Sequence, residues 1–382
     1  MKIETLLANL ALNSDFKDPY GASHFPIYNT ATFDLKKQEG NERIYDYSRS
    51  DNPTRNALEN IFAKAENSFG CVCTNTGIAA ISVLFETVLK NGDTVLVEND
   101  SYGGTYRLLK VLSEKNNIKT IYTDFTNLNL VEEELKNNEI SLILCESPTN
   151  PSLKIIDLEE IGKLSKKYNT LFAVDNSMAT FVSQKPLDLG ADFSVFSTTK
   201  FISGHGSVTA GAVVSKTKEL HQKVRFFANA YGNAQSPMDV YLTSLGLPTL
   251  VYRMKAQEES ALEIAKFLKN FPQIKSVKFP ALEDFEQYDL AKKQMSIIPA
   301  VLTIQLQDEE TANQLINNTK LFGKKVSFGT SDSRLEIPAK MSHATNSKDS
   351  LASKGIDNAT VRISVGLENT EDLIEDLSQA LQ

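Results

Sequence analysis

Reactive side chains follow four of the short apolar runs in this sequence of 382 residues. Asp175 comes directly after one run, and Lys200 ends the Ser-Thr-Thr-Lys segment that follows another. A third run leads to Thr76 and Gly77, where a helix is predicted to begin, and a fourth leads to a Pro-Thr-Asn-Pro segment that contains Asn150. A lysine amine can attack an aldehyde, a carboxylate can hold a protonated ring nitrogen, and the free amides at a helix start bind anions. Together, the four positions predict a site for an anionic ring compound that carries an aldehyde.

Pyridoxal 5′-phosphate (PLP) has the features that such a site would bind. Lys200 can carry its aldehyde as a Schiff base, and Asp175 can keep the pyridine nitrogen protonated, so that the ring accepts electrons from a substrate Cα. The groups that could bind its phosphate are the amides and hydroxyls of Thr76, Gly77, Ile78, Ser197 and Thr199. Each residue alone has a plain structural explanation, since a strand-end aspartate or lysine is usually a turn or solvated residue. Their arrangement at successive strand ends is what favours a PLP site.

The alternation of apolar runs and amphipathic stretches between about residues 70 and 215 indicates what positions these groups. Continuous apolar strands alternating with helices are typical of an α/β fold, with a mostly parallel sheet that helices cover on both faces. The predicted strands are 94–97, 120–123, 142–145, 171–174, 193–196 and 210–214, and the predicted helices include 78–89, 103–114 and 158–168. In such folds, ligands bind outside the carboxyl ends of the strands, which is where the reactive residues lie.

Three segments are predicted along the chain. Residues 1–45 are polar and are expected to form an irregular N-terminal arm, and residues 46–245 form the large domain that holds the predicted site. A helix is predicted to begin at Pro53, because Asn52 is a good cap and proline suits the first helical position. Residues 246–382 are predicted to form a smaller α+β domain. Its predicted elements are a helix over 254–268, strands near 301–304 and 361–364, and a final amphipathic helix.

Composition and charge argue against several classes of protein. The net charge is −8 and the sequence has no basic arm, which argues against nucleic acid or an anionic membrane as a partner. No apolar run approaches the roughly 20 residues of a membrane span, and the first residues lack the layout of a secretion signal. The three cysteines and four scattered histidines show no metal-ligand spacing, and Cys71 and Cys73 are expected on a buried strand. We therefore expect a cytoplasmic enzyme that acts on small molecules and holds no metal.

Five ordered motifs resemble the Cys/Met-metabolism family of PLP-dependent enzymes. The motifs are YSRSDNPTR (47–55), YGGTYR (102–107), ESPTNP (146–151), VDN (174–176) and STTK (197–200). The resemblance extends from about residue 26 to the last predicted helix, so it covers nearly the whole chain. This family contains the cystathionine synthases and lyases, methionine γ-lyase and the O-acylhomoserine sulfhydrylases. Several motifs in order and at matching spacing make the resemblance specific.

The resemblance implies the fold-type I architecture of PLP-dependent transferases and a homotetramer built from two active dimers. It assigns Lys200 to the Schiff base and Asp175 to the pyridine nitrogen. Tyr102 is implied to stack on the cofactor ring, and Asn150 to bind its phenolic oxygen. Lys200, Tyr102 and Asp175 are thereby the expected catalytic residues.

The resemblance also implies contacts outside this cofactor core. Tyr47 and Arg49 would bind the phosphate in the site of the neighbouring subunit. The residues expected to contact an amino-acid substrate are Arg107, Asn150, Asp332, Ser333 and Arg362, with Arg362 taking the α-carboxylate. Departures from the common pattern of the family are Asp332-Ser333-Arg334 in place of Glu-Ser-Leu, and Ser177, Phe201 and Leu245. The first of these departures concerns the choice of substrate rather than the cofactor.

Within the family, the sequence motifs are most similar to those of the bacterial cystathionine γ-synthases. The resemblance therefore implies γ-replacement, in which a sulfur nucleophile displaces the acyloxy group of an O-acylhomoserine. With cysteine as the nucleophile, the product is cystathionine. A γ-lyase acting on cystathionine or methionine is the first alternative and an O-acylhomoserine sulfhydrylase is the second, because both use the same residues. A third alternative is an inactive homologue that serves as a binding protein, against which the intact Lys200, Asp175, Tyr102 and Arg362 argue.

Overall fold

Two β-sheets form the framework of the computed structural model, which describes residues 1–40, 43–344 and 354–382. The strands of the first sheet are β1 (Gly70–Thr74), β2 (Thr94–Glu98), β3 (Lys119–Thr123), β4 (Leu142–Glu146), β5 (Leu171–Asp175), β6 (Phe193–Phe196) and β7 (Gly211–Ser215). Their order is β1-β7-β6-β5-β4-β2-β3, and neighbours are parallel except that β7 runs antiparallel to both β1 and β6. The prediction of a mostly parallel sheet is therefore confirmed. Residues 41 and 42 of the predicted arm lie outside the described ranges.

Helices surround both sheets. Those of the described residues are α1 (Ile3–Ala8), α2 (Leu10–Asn13), α3 (Pro53–Ala65), α4 (Gly77–Val88), α5 (Gly103–Asn116), α6 (Leu128–Asn137), α7 (Leu158–Lys167), α8 (Thr180–Ser183), α9 (Lys218–Tyr231), α10 (Pro237–Leu245), α11 (Leu250–Leu268), α12 (Tyr288–Gln294), α13 (Glu309–Asn318) and α14 (Thr370–Ala380). The predicted helices over 78–89, 103–114 and 158–168 correspond to α4, α5 and α7, with ends that agree to within about two residues. None of the helices in the described ranges combines the length and apolar character that a membrane span needs.

The central strands are apolar along their length because helices cover both faces of the sheet. Every residue of β6 and β7 is buried, and β2 and β4 each have a buried run of four residues. The strands therefore lack the alternation of apolar and polar residues that a half-exposed sheet shows. Cys71 and Cys73 lie on the fully buried β1, as predicted.

Helix α3 begins where the sequence predicts. The side chain of Asn52 accepts a hydrogen bond from Thr54 N at 3.0 Å, and Pro53 occupies the first helical position. The apolar face of the helix, formed by Leu58, Ile61, Phe62 and Ala65, is buried. Through this face, α3 packs against β1.

The first residues of the chain are helical, so the prediction of an irregular arm is wrong for this part. Helices α1 and α2 pack on α3, and Leu6, Leu7 and Leu10 are buried. Lys64 Nζ of α3 donates to the carbonyl of Asn13 at 2.7 Å, which fixes the end of α2. Helices of this length are marginal alone, so packing of the leucines stabilises them.

The second sheet lies C-terminal to the first in the sequence. Its strands are β8 (Ile274–Lys278), β9 (Val301–Leu306), β10 (Gly323–Lys324), β11 (Arg334–Glu336) and β12 (Thr360–Ser364), in the order β10-β11-β12-β9-β8. The pairs are antiparallel except that β10 is parallel to β11. Ile264 of α11, Leu315 of α13 and Leu377 of α14 belong to the core of this sheet. Helix α11 also sends Val251 and Met254 into the core of the first sheet, so a domain boundary at residue 245 stays a prediction.

The buried N-terminal helices generate a stability prediction. Leu7 is 1% exposed, whereas Leu12 of the same segment is 75% exposed. Replacing Leu7 leaves a cavity against α3, so we expect Leu7→Ala to lower the free energy of unfolding by about 2–4 kcal/mol. Leu12→Ala, the matched control, should change it by less than about 0.5 kcal/mol. Urea unfolding followed by circular dichroism measures both values, and equal values would contradict the packing of α1 and α2.

Candidate active site

A cavity of about 360 Å³ lies at the carboxyl ends of β4, β5 and β6, beside the first turn of α4. The second sheet closes it through the segment 326–328 and Arg362 of β12. The predicted site residues that line the cavity are Thr76, Gly77, Ile78, Tyr102, Asn150, Asp175, Ser197, Thr199, Lys200 and Arg362. Side chains that were not predicted for the site also line it, namely Ile81, Glu146, Pro148, Ser177, Met178, Thr209, Val326, Ser327, Phe328 and Ser342.

The first turn of α4 is suited to receive an anion. Thr76 Oγ1 accepts a hydrogen bond from Ala79 N at 3.0 Å, which caps the helix. The described residues offer no acceptor to the amides of Gly77 and Ile78, which both line the cavity. A Cβ on Gly77 would lie 2.6 Å from the Cβ of Ser197, so glycine is what lets these two segments approach. Two free amides, the helix dipole and the Ser197 hydroxyl therefore form a cradle that fits a phosphate dianion.

Thr199 lies at the same corner, but its hydroxyl is committed to the fold. Oγ1 donates to the carbonyl of Ala210 at 3.1 Å and accepts from the amide of Ala210 at 2.9 Å. These two bonds tie the residues after β6 to the start of β7. Because a hydroxyl has one proton, Thr199 would have to break a bond to Ala210 before donating to a phosphate. The structure thus places Thr199 in the cavity wall without supporting its predicted role as a hydroxyl donor.

Asp175 ends β5 with one carboxylate oxygen held in place. Its Oδ1 accepts hydrogen bonds from Ser177 N at 3.0 Å and from Ser177 Oγ at 2.5 Å, while Oδ2 has no partner among the described residues. Burial raises the pKa of Asp175 above its usual range, and the bonds from Ser177 oppose this shift. A protonated ring nitrogen would supply the missing counter-charge. The sequence carried a signal for Ser177, because an aspartate side chain often bonds the backbone two residues further on.

Glu146 places a second carboxyl group beside Asp175. The two residues are register partners in the parallel strands β4 and β5, and both line the cavity. Burial and the charge of Asp175 raise the pKa of Glu146 well above its usual range, which favours the neutral form. Glu146 Oε1 accepts a hydrogen bond from Asn150 N at 3.3 Å and so orients the loop that carries Asn150.

Tyr102 stands at the start of α5 and lines the cavity. A Cβ on Gly104 would lie 2.4 Å from an atom of the Tyr102 ring, so glycine lets the ring fold back over the helix start. The side chain is 38% exposed, and an exposed aromatic face in the same cavity as the phosphate cradle is suited to stacking on a planar cofactor.

Lys200 carries its amine into the cavity from the turn after β6. Nζ donates to Ser327 Oγ at 2.6 Å and lies 4.8 Å from the centroid of the Phe328 ring. Burial, together with the charge of Arg362, lowers the pKa of Lys200 to about 8, and the charge of Glu336 opposes the shift. A neutral amine is therefore accessible at mildly alkaline pH, as attack on an aldehyde requires.

Arg362 is a buried guanidinium whose bonds leave some of its N–H groups for a ligand. Nη1 contacts Glu336 Oε1 at 2.9 Å and Asn150 Oδ1 at 3.0 Å, and Nη2 donates to the carbonyl of Ser327 at 2.6 Å. The bonds to Asn150 and Ser327 use two of its five N–H groups, and Nε has no partner among the described residues. Arg362 also lines the cavity, so its remaining N–H groups can donate to a carboxylate. The arrangement fits the predicted role of Arg362 as an α-carboxylate anchor.

Tyr47, Arg49 and Arg107 lie outside the cavity of their own chain. Arg49 Nε donates to Asn229 Oδ1 at 3.2 Å, and the guanidinium lies 5.0 Å from the centroid of the Tyr47 ring. Tyr47 is 41% exposed, and Arg107 is exposed on α5. Exposure is what contact with a neighbouring subunit requires, and the roles of these three residues stay predictions.

Asp332 and Ser333 also lie outside the cavity. Ser333 is buried and bonds the Glu368 carboxylate through N at 2.7 Å and Oγ at 2.8 Å, which joins β11 to the segment after β12. Asp332 pairs with Arg334 at 2.9 Å and with Lys325 at 3.0 Å. These bonds within the chain do not support the predicted contacts of Asp332 and Ser333 with a substrate.

A lysine amine, a carboxylate for a ring nitrogen and a phosphate cradle in one cavity of an α/β fold are the parts of a PLP-dependent enzyme. The chain belongs to the Cys/Met metabolism PLP-dependent enzyme family, whose model matches residues 4–382. It is therefore an enzyme of sulfur amino-acid metabolism, and the alternative of an inactive binding protein is not retained.

Similar proteins include both lyases and a synthase. The chain is 35% identical to a cystathionine γ-lyase of Bacillus subtilis (strain 168) over 382 residues, the whole of both chains. It is 39% identical to an L-methionine γ-lyase of Fusobacterium nucleatum subsp. polymorphum, over 96% of this chain and 95% of that one. A crystal structure of cystathionine γ-synthase from Xanthomonas oryzae pv. oryzae, in complex with aminoacrylate and cysteine, matches with a TM-score of 0.95 at 36% identity. That match covers 100% of this chain and 98% of the synthase, and it confirms the predicted fold class.

The lowered pKa of Lys200 generates a prediction about its reaction with PLP. Because only the neutral amine attacks the aldehyde, covalent capture by the apoprotein should accelerate about tenfold per pH unit and level off above about pH 8. Borohydride reduction at timed intervals, followed by peptide mapping, measures the rate and identifies the labelled residue. Lys200→Ala should lose the label, and Lys167→Ala, which removes an exposed lysine of α7, should be captured at the wild-type rate. Label on another lysine, or a plateau reached only above about pH 10, would contradict the assignment.

Proposed function

We propose that this enzyme catalyses γ-replacement on an O-acylhomoserine, with a sulfur nucleophile such as cysteine. The observation that carries the proposal is that a base and a carboxylate anchor both contact the same residue, Ser327. Lys200 Nζ donates to the hydroxyl of Ser327, and Arg362 donates to the carbonyl of the same residue. An amino acid whose carboxylate binds Arg362 therefore has its Cα close to the amine of Lys200.

PLP, when bound, supplies an electron sink that acidifies the Cα–H of an amino-acid substrate. The side chains of the cavity hold the substrate and move its protons. Arg362 fixes the carboxylate, and Asp175 keeps the ring nitrogen protonated. The free amine of Lys200 would take the proton from Cα and then one from Cβ, and the γ-acyloxy group would leave as a carboxylate. The thiol sulfur would then add at Cγ with release of its proton, and protons would return to Cβ and Cα.

Similarity to the cystathionine γ-synthase of Xanthomonas oryzae supports replacement as the main reaction. The match extends over the whole chain, and cysteine and aminoacrylate are bound in that structure. A second structure of the same synthase contains cystathionine and matches this chain equally well, with a TM-score of 0.95.

A second candidate is γ-elimination from methionine or cystathionine. The cavity lining includes the apolar side chains of Met178, Val326 and Phe328. An uncharged group such as the methylthio group of methionine is buried there at lower cost than a charged one. The similarity to the γ-lyases of Bacillus subtilis and Fusobacterium nucleatum also supports this candidate.

We propose that Asp332 and Arg334 influence the choice of substrate from outside the cavity. Arg334 binds both carboxylate oxygens of Asp332, with Nη2–Oδ1 at 2.9 Å and Nε–Oδ2 at 3.1 Å. Arg334 Nη1 also donates to the carbonyl of Val326 at 3.1 Å. The pair thereby holds the segment 326–328, so it acts on the substrate through the shape of the cavity wall.

We propose further that Tyr47 and Arg49 complete the cavity of a neighbouring subunit, within a homotetramer of two active dimers. Arg225 pairs with Glu59 at 2.7 Å and with Asp51 at 3.3 Å, and these ion pairs hold the segment that carries Tyr47 and Arg49. An arginine offers a phosphate two parallel bonds, and a charged contact of this kind is stronger in a dry interface than on an open surface.

A product assay tests the reaction. Purified holoenzyme is supplied with O-acetyl-, O-succinyl- or O-phosphohomoserine plus cysteine or sulfide, and separately with methionine or cystathionine alone. We expect cystathionine from an acylhomoserine and cysteine at least about tenfold faster than 2-oxobutanoate from either single substrate. Asp332→Glu combined with Arg334→Leu should change the ratio of kcat/KM values among these substrates and leave PLP affinity unchanged. Faster release of 2-oxobutanoate from methionine or cystathionine would favour γ-elimination, and no product from any mixture would contradict both candidates.

Mixed dimers test whether two chains share each site. Lys200→Ala lacks the reactive amine and keeps Arg49, whereas Arg49→Ala lacks the phosphate contact and keeps Lys200. Unfolding and refolding the two variants together should give about half hybrid dimers, each with one intact site, so activity should recover to about a quarter of the wild-type value. Native mass spectrometry verifies the hybrids, and the same treatment of each variant alone is the control. Verified hybrids without recovery would show that Arg49 does not serve the neighbouring site.

A further inference from the structure

The end of β11 and the turn that follows it place three polar side chains near Arg362. Glu336 ends β11 opposite Arg362 on β12, and both residues are buried. Ser342 lines the cavity, and its Oγ lies 2.5 Å from Glu336 Oε1 and 2.8 Å from His343 Nδ1. His343 is fully buried, and its Nε2 lies 3.1 Å from the carbonyl oxygen of Asn150. Glu336, Ser342 and His343 are called the serine cluster below.

The serine cluster has one proton fewer than its contacts require. A carbonyl oxygen only accepts hydrogen bonds, so the contact with Asn150 needs a proton on Nε2 of His343. In a neutral imidazole, this leaves Nδ1 as an acceptor. Ser342 then faces two acceptors, Nδ1 and Glu336 Oε1, with a single hydroxyl proton to share. One added proton at Nδ1 would complete a chain of donors that runs from His343 through Ser342 to Glu336.

A substrate carboxylate would bring a second negative charge to Arg362. The guanidinium already pairs with Glu336 at 2.9 Å. One cation would then face two anions in a buried site, where like charges repel more strongly than they do in water. A proton added to the serine cluster restores the balance of charge without breaking either contact of the guanidinium.

We propose that an α-carboxylate binds Arg362 together with one proton from solvent, which is taken up at His343 Nδ1. His343 then donates to Ser342 Oγ, and Ser342 donates to Glu336. Glu336 and Ser342 are thereby positioning residues, because they act on the substrate through Arg362. The inference rests on the carboxylate-binding role proposed for Arg362, and it adds that the affinity for a carboxylate depends on pH.

The charges around the serine cluster set the direction of this dependence. Burial lowers the pKa of His343 to about 4, the charge of Asp100 opposes the shift, and the charges of Arg362 and Lys354 reinforce it. Lys200 and Arg334 are further cations whose charges act on Glu336 or Arg362. A carboxylate at Arg362 offsets the charge of that guanidinium, so its binding raises the pKa of His343. Proton uptake is then largest between the free and bound pKa values and vanishes well above both.

Calorimetry with a carboxylate that lacks an amino group tests the inference. 4-(Methylthio)butanoate is methionine without its amino group and cannot condense with the aldehyde of PLP, so its binding reports the contact with Arg362. Titrating the holoenzyme in buffers of different ionisation enthalpy gives the number of protons taken up per carboxylate bound. We expect about half a proton near pH 5.5 and less than about 0.1 proton near pH 8.

Variants identify the groups responsible. Glu336→Gln removes the second anion and His343→Gln removes the acceptor nitrogen, so each should reduce proton uptake to less than about a fifth of the wild-type value. Ser342→Ala breaks the same chain and serves if either of those variants fails to fold. His221→Gln, which replaces a partly buried histidine of α9 outside the cavity, is the matched control and should keep the wild-type value.

Three outcomes would overturn the proton coupling. They are binding without proton uptake in the wild type, unchanged uptake in His343→Gln, and no binding of the carboxylate at all. The product assay is independent of these results. An enzyme that forms cystathionine but takes up no proton refutes only the coupling, whereas proton uptake by an enzyme that forms no cystathionine refutes only γ-replacement.

Discussion

The buried guanidinium of Arg362 is the interaction on which both halves of the site depend. It reaches from β12 of the second sheet to Asn150, which follows β4 of the first, and to Ser327, which contacts Lys200. A guanidinium can do this because its donors lie in one plane and reach several acceptors at once. Without it, the carboxylate of Glu336 would be buried without a cation, at a cost larger than that of a lost surface bond. The position of the second sheet over the cavity is therefore coupled to the residue that we propose as the substrate anchor.

Burial shifts the ionisable groups of the cavity toward their neutral forms. It lowers the pKa of Lys200 to about 8 and raises the pKa values of Asp175 and Glu146 above their usual range. The neutral amine of Lys200 is the form that attacks an aldehyde, and a buried carboxylate at Asp175 would bind a ring cation more strongly than one in water. Exclusion of water from the cavity thus lowers the pKa of the lysine and raises the pKa values of the two carboxyl groups.

Residues next to a strand end of the first sheet were predictable, whereas those that approach from the side of the second sheet, apart from Arg362, were not. Asp175, Lys200 and Gly77 each follow a strand whose apolar run is legible in the sequence, and parallel packing brings those ends to one edge. Ser327 meets Lys200 across 127 residues of sequence, from a segment with no regular pattern of its own. Glu336 and Ser342 belong to the same class, since their contacts depend on how β11 and its following turn sit against β12. Thr199 shows the opposite case, in which a hydroxyl at the predicted position is used by Ala210 instead.

The sequence by itself determined the α/β fold class, the family and most of the cofactor side of the cavity. It could do so because local periodicity, helix caps and ordered motifs are properties of neighbouring residues. It failed at the N-terminus, where Leu6, Leu7 and Leu10 form short helices only because α3 offers them a surface to bury. Only the tertiary structure decided that Ser327 links Lys200 to Arg362 and that Asp332 lies outside the cavity. Burial and long-range pairing set these contacts, and both are properties of the packed chain that no stretch of sequence carries alone.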